Sequence, residues 1–173
     1  MKMTRIIHSS LVLLTTMLLL GAVSAGHAQN NAQNNAQPKL KASAIQILMF
    51  QSNEVNLPLQ FQVALYENTI EQVEKSHKFE RVYRDGDQGA ANVPDLVVLH
   101  TNVYGFKKGS EEERQVLTVA GATQIKVHCQ FTDKSGKPEL ERDITGKVRF
   151  LGGNLRATLD FGKKVSQIVQ QNF

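Results

Sequence analysis

His128 and Cys129 carry the side chains of a Cys–His nucleophile pair on adjacent residues. A thiolate and its base must meet at hydrogen-bond distance. Neighbours on a strand point to opposite faces, so an extended segment keeps them apart. Cys129 then reads as a small buried hydrophobe beside a solvated histidine. His77, His100 and His128 show no H-x-H or H-x-x-x-H spacing, which leaves them without a metal-ligand signature. His77 falls near the end of an expected helix, where a cation is favoured. Asp85-Gly86-Asp87 looks like a fragment of a calcium loop, but the further alternating acids and the closing bidentate Glu do not follow it. Turn chemistry accounts for it instead.

Glu111-Glu112-Glu113 would have to hold two carboxylates at a fixed separation and desolvate one of them. A charged loop does neither. Gly152-Gly153 ahead of a helix offers amides to an anion, with nothing nearby to complete a phosphate-binding loop. No G-x-S-x-G, Walker A or G-x-G-x-x-G occurs. One enzyme reading remains, in which His100, His128 and Asp143 are gathered from separate strands onto one face. A general acid and base must reach the same substrate, so they would have to lie close together. The expectation is a non-enzymatic protein with no catalytic, cofactor-binding or metal site.

What remains is surface, and it depends on the elements that position it. Ile125, Val127, Cys129 and Phe131 alternate with Gln124, Lys126, His128 and Gln130, the signature of a strand buried on one side. The next strand repeats this, with Leu140, Ile144, Val148 and Phe150 inward and Glu141, Asp143, Thr145, Lys147 and Arg149 outward. If the two strands pair, Lys126, His128, Gln130, Asp143, Lys147 and Arg149 share a mixed-charge face. That face is the candidate interaction surface, either as a docking face or through an edge strand that accepts another.

The remaining elements follow from periodicity. Ala44–Phe50 is a short apolar strand. From Pro58 to about His77, Leu59, Val63, Tyr66, Ile70 and Val73 recur at helical spacing, a stripe widened by Phe61, Ala64 and Leu65. Phe79–Arg84 and Asp95–Phe106 are strands separated by a Gly/Asp/Asn-rich loop. Lys107–Arg114 reads as a solvated hairpin loop. Val116–Thr132 reads as a long strand, bent at Ala120-Gly121-Ala122. Asp133–Lys137 is a turn. Asn154 is expected to cap a closing helix with Leu155, Thr158, Leu159, Gly162, Val165 and Val169 inside. The pattern predicts an α+β two-layer sandwich: a mostly antiparallel sheet of about five strands, covered on one face by two helices, in the order β-α-β-β-β-β-α.

The 173 residues allow one domain of this kind, preceded by an address. Lys2 and Arg5, the uncharged apolar run from Ile6 to Ala25, and small residues at Val23-Ser-Ala25 and Gly26-His-Ala28 make a signal peptide over residues 1–28, cleaved after Ala25 or Ala28. Membrane contact is expected only if that segment stays uncleaved. Residues 29–40, beginning QNNAQNNAQ, have no apolar face to bury and read as a disordered linker before the 41–173 domain. The whole chain has 20 basic and 16 acidic residues, a net charge of +4. Without Lys2 and Arg5 this becomes 18 minus 16, or +2, weak for nucleic-acid binding, and none is expected. The single cysteine, Cys129, excludes an internal disulfide and acylation at a cleavage site, so the protein is not expected to be a lipoprotein.

The order of strand Ile45–Phe50, long helix, Phe79-Glu-Arg-Val82, Pro94-Asp-Leu-Val-Val98, Phe106-Lys-Lys-Gly-Ser110 with Arg114, turn Thr132-Asp-Lys-Ser-Gly136 and closing helix resembles the bacterial envelope family known as domain of unknown function 4410. That family is similar in layout to TolB amino-terminal and curli-secretion lipoprotein domains. The resemblance implies a periplasmic or surface-associated, non-catalytic domain. It is expected to serve as a protein-interaction or assembly module, through an envelope protein or self-association. The alternative is a periplasmic small-ligand or lipid-binding protein, which would need a preformed apolar cavity.

Overall fold

The computed structural model describes residues 39–116, 121–149 and 152–173. The expected signal peptide, most of the expected linker, the bend at Ala120 and the inward placement of Phe150 lie outside the described residues. Lys39 and Leu40, at the end of the linker stretch, both bond to the backbone of the closing helix. Lys39 reaches the Gln170 carbonyl, and the Leu40 N–H donates to the Asn172 carbonyl at 2.7 Å. Among the described residues no helix is long and apolar enough to cross a membrane.

Five strands form one sheet: β1 (Ala44–Ile47), β2 (Arg81–Arg84), β3 (Leu96–Lys107), β4 (Thr123–Asp133) and β5 (Pro138–Val148). Their spatial order is β2-β1-β3-β4-β5. β1 lies parallel to both β2 and β3, while the much longer β3–β4 and β4–β5 ladders are antiparallel. Parallel pairing of β1 with β2 requires a crossover. Helix α1 (Leu59–Glu74) supplies it, and α3 (Arg156–Asn172) packs beside α1 on the same face. The architecture is the α+β sandwich that alternation predicts, with two short helical segments added. One is a 3-10 turn at Gln88–Asn92 within the expected Gly/Asp/Asn-rich loop, started by Asp87 accepting from the Gly89 N–H. The other is α2 (Glu111–Val116).

The core lies between sheet and helices. Ile45 and Ile47, Leu99 and Val103, and Ile125, Val127, Cys129 and Phe131 alternate inward to meet Phe61, Leu65, Phe161 and Val165, all at most 1% exposed. Each such side chain contributes roughly 1.5–3 kcal/mol by leaving water. Rings meet edge-on between Phe61 and Phe106 and between Phe50 and Phe161. Two glycines allow close approach, one between the helices and one between sheet and helix. A Cβ on Gly162 would lie 2.6 Å from the Asn68 carbonyl oxygen of α1, and one on Gly146 would collide with the Ala157 carbonyl oxygen.

Several expectations need correction. The α1 stripe is rotated toward Phe61, Leu65 and Thr69, because Phe61 finds Phe106; Leu59 and Val63 face solvent. In α3 the inner face is Ala157, Thr158, Phe161, Gly162, Val165, Ser166 and Val169, with Leu155 exposed. β4 starts at Thr123 rather than Val116, which belongs to α2 and is 81% exposed. A register shift falls in β3 between Val103 and Gly105, and it brings Lys107 opposite Gln124. Asn154 does not cap α3 through its side chain: its Oδ1 accepts from the Thr123 hydroxyl at 2.5 Å.

The Lys107–Arg114 stretch is not a solvated loop throughout. Ser110 and Glu113 form half of a capping box, with Ser110 Oγ accepting from the Glu113 N–H at 3.2 Å. This starts α2. Arg114 is then buried, donating to the carbonyls of Gly121 (2.5 Å) and Gly152 (2.9 Å), while Glu111 Oε1 accepts from the Asn154 N–H at 3.0 Å. The charges cross-link the start of β4 to the start of α3.

Candidate interaction face

The side of the sheet away from α1 and α3 carries the row predicted from alternation. The register places His100 opposite Gln130 and Gln130 opposite Glu141. It also places Asn102 opposite His128 and His128 opposite Asp143. Next along the strands, away from the Asp133–Lys137 turn, Lys126 faces Thr145 and then Gln124 faces Lys147. Directly opposed residues on adjacent strands are close enough to bond. His128 Nδ1 and Asp143 Oδ1 are 3.0 Å apart, and Gln130 Nε2 donates to Glu141 Oε1 at 2.5 Å. All six candidates, Lys126, His128, Gln130, Asp143, Lys147 and Arg149, are partly or fully exposed, and those on β4 and β5 share this face. Arg149 lies one residue beyond β5.

His128 and Asp143 are thus brought together, with both side chains open to solvent. His100, on the next strand, instead has its Nε2 3.3 Å from the Thr132 hydroxyl oxygen. Cys129 points into the core, fully buried, and burial followed by the nearby Asp143 carboxylate pushes its thiol well above the ordinary range. The strand geometry that separates it from His128 is as the sequence requires. Among the described residues no group of three His, Cys, Asp or Glu side chains is placed to hold a metal ion. Asp87 serves a turn, accepting from the Gly89 N–H, whereas Asp85 accepts from the Met49 N–H and so ties the end of β2 to the segment after β1.

The charges on this face are sorted along the strands. Glu141 and Asp143 lie toward the Asp133–Lys137 turn. Lys107, Lys126, Lys147 and Arg149 lie toward the other end. Among the described residues none of these four cations makes an ion pair. Asp143 and Lys147 are four residues apart on one strand, about 13 Å at about 3.3 Å per residue, further than the Debye length of about 8 Å at physiological salt.

Three backbone groups of the β5 edge are bonded by side chains that sequence reasoning missed. Asp160 Oδ2 of α3 accepts from the Lys147 N–H at 2.8 Å, and Lys164 Nζ donates to the Thr145 carbonyl at 2.7 Å. Arg142 covers the Glu141 carbonyl at 2.7 Å. The i, i+4 spacing of Asp160 and Lys164, themselves paired at 2.7 Å, is the only sequence signal of this role. A groove of about 650 Å³ runs here between β5 and α3, and a hollow of about 270 Å³ lies beside His100, Asn102, His128 and Met49. Both are surface features. The interior between sheet and helices is filled by Phe61, Phe131 and Phe161.

No protein-family model and no curated protein sequence matches the chain. Among solved structures the fold is similar to the PelC dodecamer from Paraburkholderia phytofirmans, at 14% identity and a TM-score of 0.55, over 74% of this chain and 89% of that one. A single-substitution variant of the same dodecamer gives 14% identity and a TM-score of 0.56, over 78% and 91% of the two chains. A protein from Xanthomonas campestris follows at 12% identity and a TM-score of 0.48, over 79% and 85%. At such identities the PelC likeness is one of fold: this chain adopts an α+β sandwich also found in bacterial proteins.

Proposed function

We propose that the chain is a non-catalytic, exported domain of the bacterial cell envelope, related to the domain of unknown function 4410 family, that works as a protein-interaction or assembly module. The observation that carries this reading is the open sheet face. Lys126, His128, Gln130, Asp143, Lys147 and Arg149 line it, while the other face is spent on the core. The thiol next to its His–Asp pair in sequence, Cys129, lies through the sheet in the core and cannot meet it. The fold shared with a protein that forms a dodecamer supports self-association as the mode of assembly. A small-ligand or lipid carrier is the weaker reading, because the apolar interior is occupied by its own side chains.

The test is a photo-crosslinking residue placed at Lys126 in the chain expressed with its leader in a bacterium, with Lys75 on the exposed end of α1 as control. The proposal expects the protein in the periplasmic fraction and a discrete adduct, to itself or to one envelope protein, from position 126 only. Cytosolic protein with an intact leader, or equal labelling from both positions, overturns it.

A further inference from the structure

The sorted charges of β5 have a symmetry of their own. Counted from Thr145, the acids Asp143 and Glu141 stand two and four residues to one side, and the bases Lys147 and Arg149 stand two and four to the other. Glu141, Asp143 and Lys147 lie in the alternating row of β5, and Arg149 follows one residue beyond its end. Among the described residues, the acids and bases of this row make no ion pair with one another within one molecule. A two-fold axis at the level of Thr145 would reverse the second strand and set Asp143 over Lys147 and Glu141 over Arg149, each contact occurring twice. Lys107, level with Lys147 through Gln124, extends the basic half to β3, while Lys126, opposite Thr145, lies at the level of the axis itself.

Resting on the reading of this face as an interaction surface, we infer that its occupant is a second copy of this chain, docked face to face about a two-fold axis near Thr145. The approach is through the face rather than the edge. Asp160, Lys164 and Arg142 already hold the outward Lys147 N–H and the Thr145 and Glu141 carbonyls, so a strand added at β5 would have to displace them. Matched charges of this kind set orientation and salt dependence more than raw affinity, so the dimer is a salt-sensitive one.

The test is a charge swap between two exposed residues, Glu141→Arg and Arg149→Glu, made singly and together in the purified full chain. Association is followed by sedimentation equilibrium over a concentration series at 50 and 500 mM salt. Each single variant sets like charges against each other at two symmetric contacts and is expected to weaken the dimer by about tenfold. The double variant restores complementarity and is expected to recover wild-type affinity. Salt weakens the wild type and the double variant alike and narrows the gap to the single variants. Unchanged thermal melts of the variants keep folding out of the comparison. Single variants that associate like wild type, a double variant that fails to recover, or a wild type that stays monomeric throughout each overturn the inference. The broader reading of the face stands or falls separately, on the adduct from position 126.

Discussion

Cys129 shows how burial decides the chemistry of a side chain. It occupies the core face of β4 with no exposed surface, and its thiol is held above its ordinary range chiefly by desolvation. Two outcomes follow. The native protein is expected to resist maleimide and Ellman reagents until denaturant is added, as followed by mass. Stability is also expected to decline above about pH 8.5, the usual thiol pKa. The sign follows from linkage: the folded pKa is raised, so below the unfolded value both states hold the proton and nothing is lost. Above it the unfolded chain ionises while the folded one cannot, and folding weakens as pH rises. Urea titrations at pH 7 and 10 check this, since Cys129→Ala is expected to lose less stability between those two pH values than wild type.

Arg114 is the second instructive residue. Its guanidinium ties two carbonyls that belong to different elements. Arg114→Met keeps much of the stem but leaves both carbonyls without that donor. A loss of roughly 2–4 kcal/mol in urea unfolding is expected. Arg114→Lys is expected to rescue little, because a point cation cannot reach both carbonyls as a planar fork does.

Among the elements, β5 carries the largest liability, because it is an edge strand of eleven residues. Long exposed edges template aggregation, and inward-reaching charges are one of the devices that prevent it. Asp160→Ala combined with Lys164→Ala frees the Lys147 N–H and the Thr145 carbonyl while leaving the buried face of α3 intact. The expected result is faster growth of light scattering and thioflavin fluorescence on gentle agitation, with little change in melting temperature. Equal aggregation rates for variant and wild type would remove the edge-guarding role.

The same elements mark what could be read in advance. β4 and β5 were legible because each strand is wet on one side and dry on the other, which leaves a period of two in the residues themselves. The candidate face was legible for the same reason. The α1 stripe was half legible: Tyr66, Ile70 and Val73 belong to both possible faces, and only the tertiary contact between Phe61 and Phe106 chooses between them. α2 was hidden because its buried arginine is satisfied by carbonyls far along the chain, although Ser110 and Glu113 carried its capping signature. The guards of β5 were hidden for a similar reason, since their partners are backbone atoms on another element.

At the scale of the whole molecule, Phe173 is buried with its ring against Phe79 and Phe131, and Asn172 accepts a hydrogen bond from Leu40 just ahead of β1. The first and last described segments of the domain therefore touch. The architecture behaves as a closed circuit whose point of opening is arbitrary. Bridging Phe173 to Lys39 with a few glycines and serines, and cutting instead at the exposed Ser135-Gly136 turn, is expected to give a permuted protein with the same circular dichroism and a cooperative melt. A permutant without a cooperative melt would mean that the order of synthesis, and not proximity alone, is written into this fold.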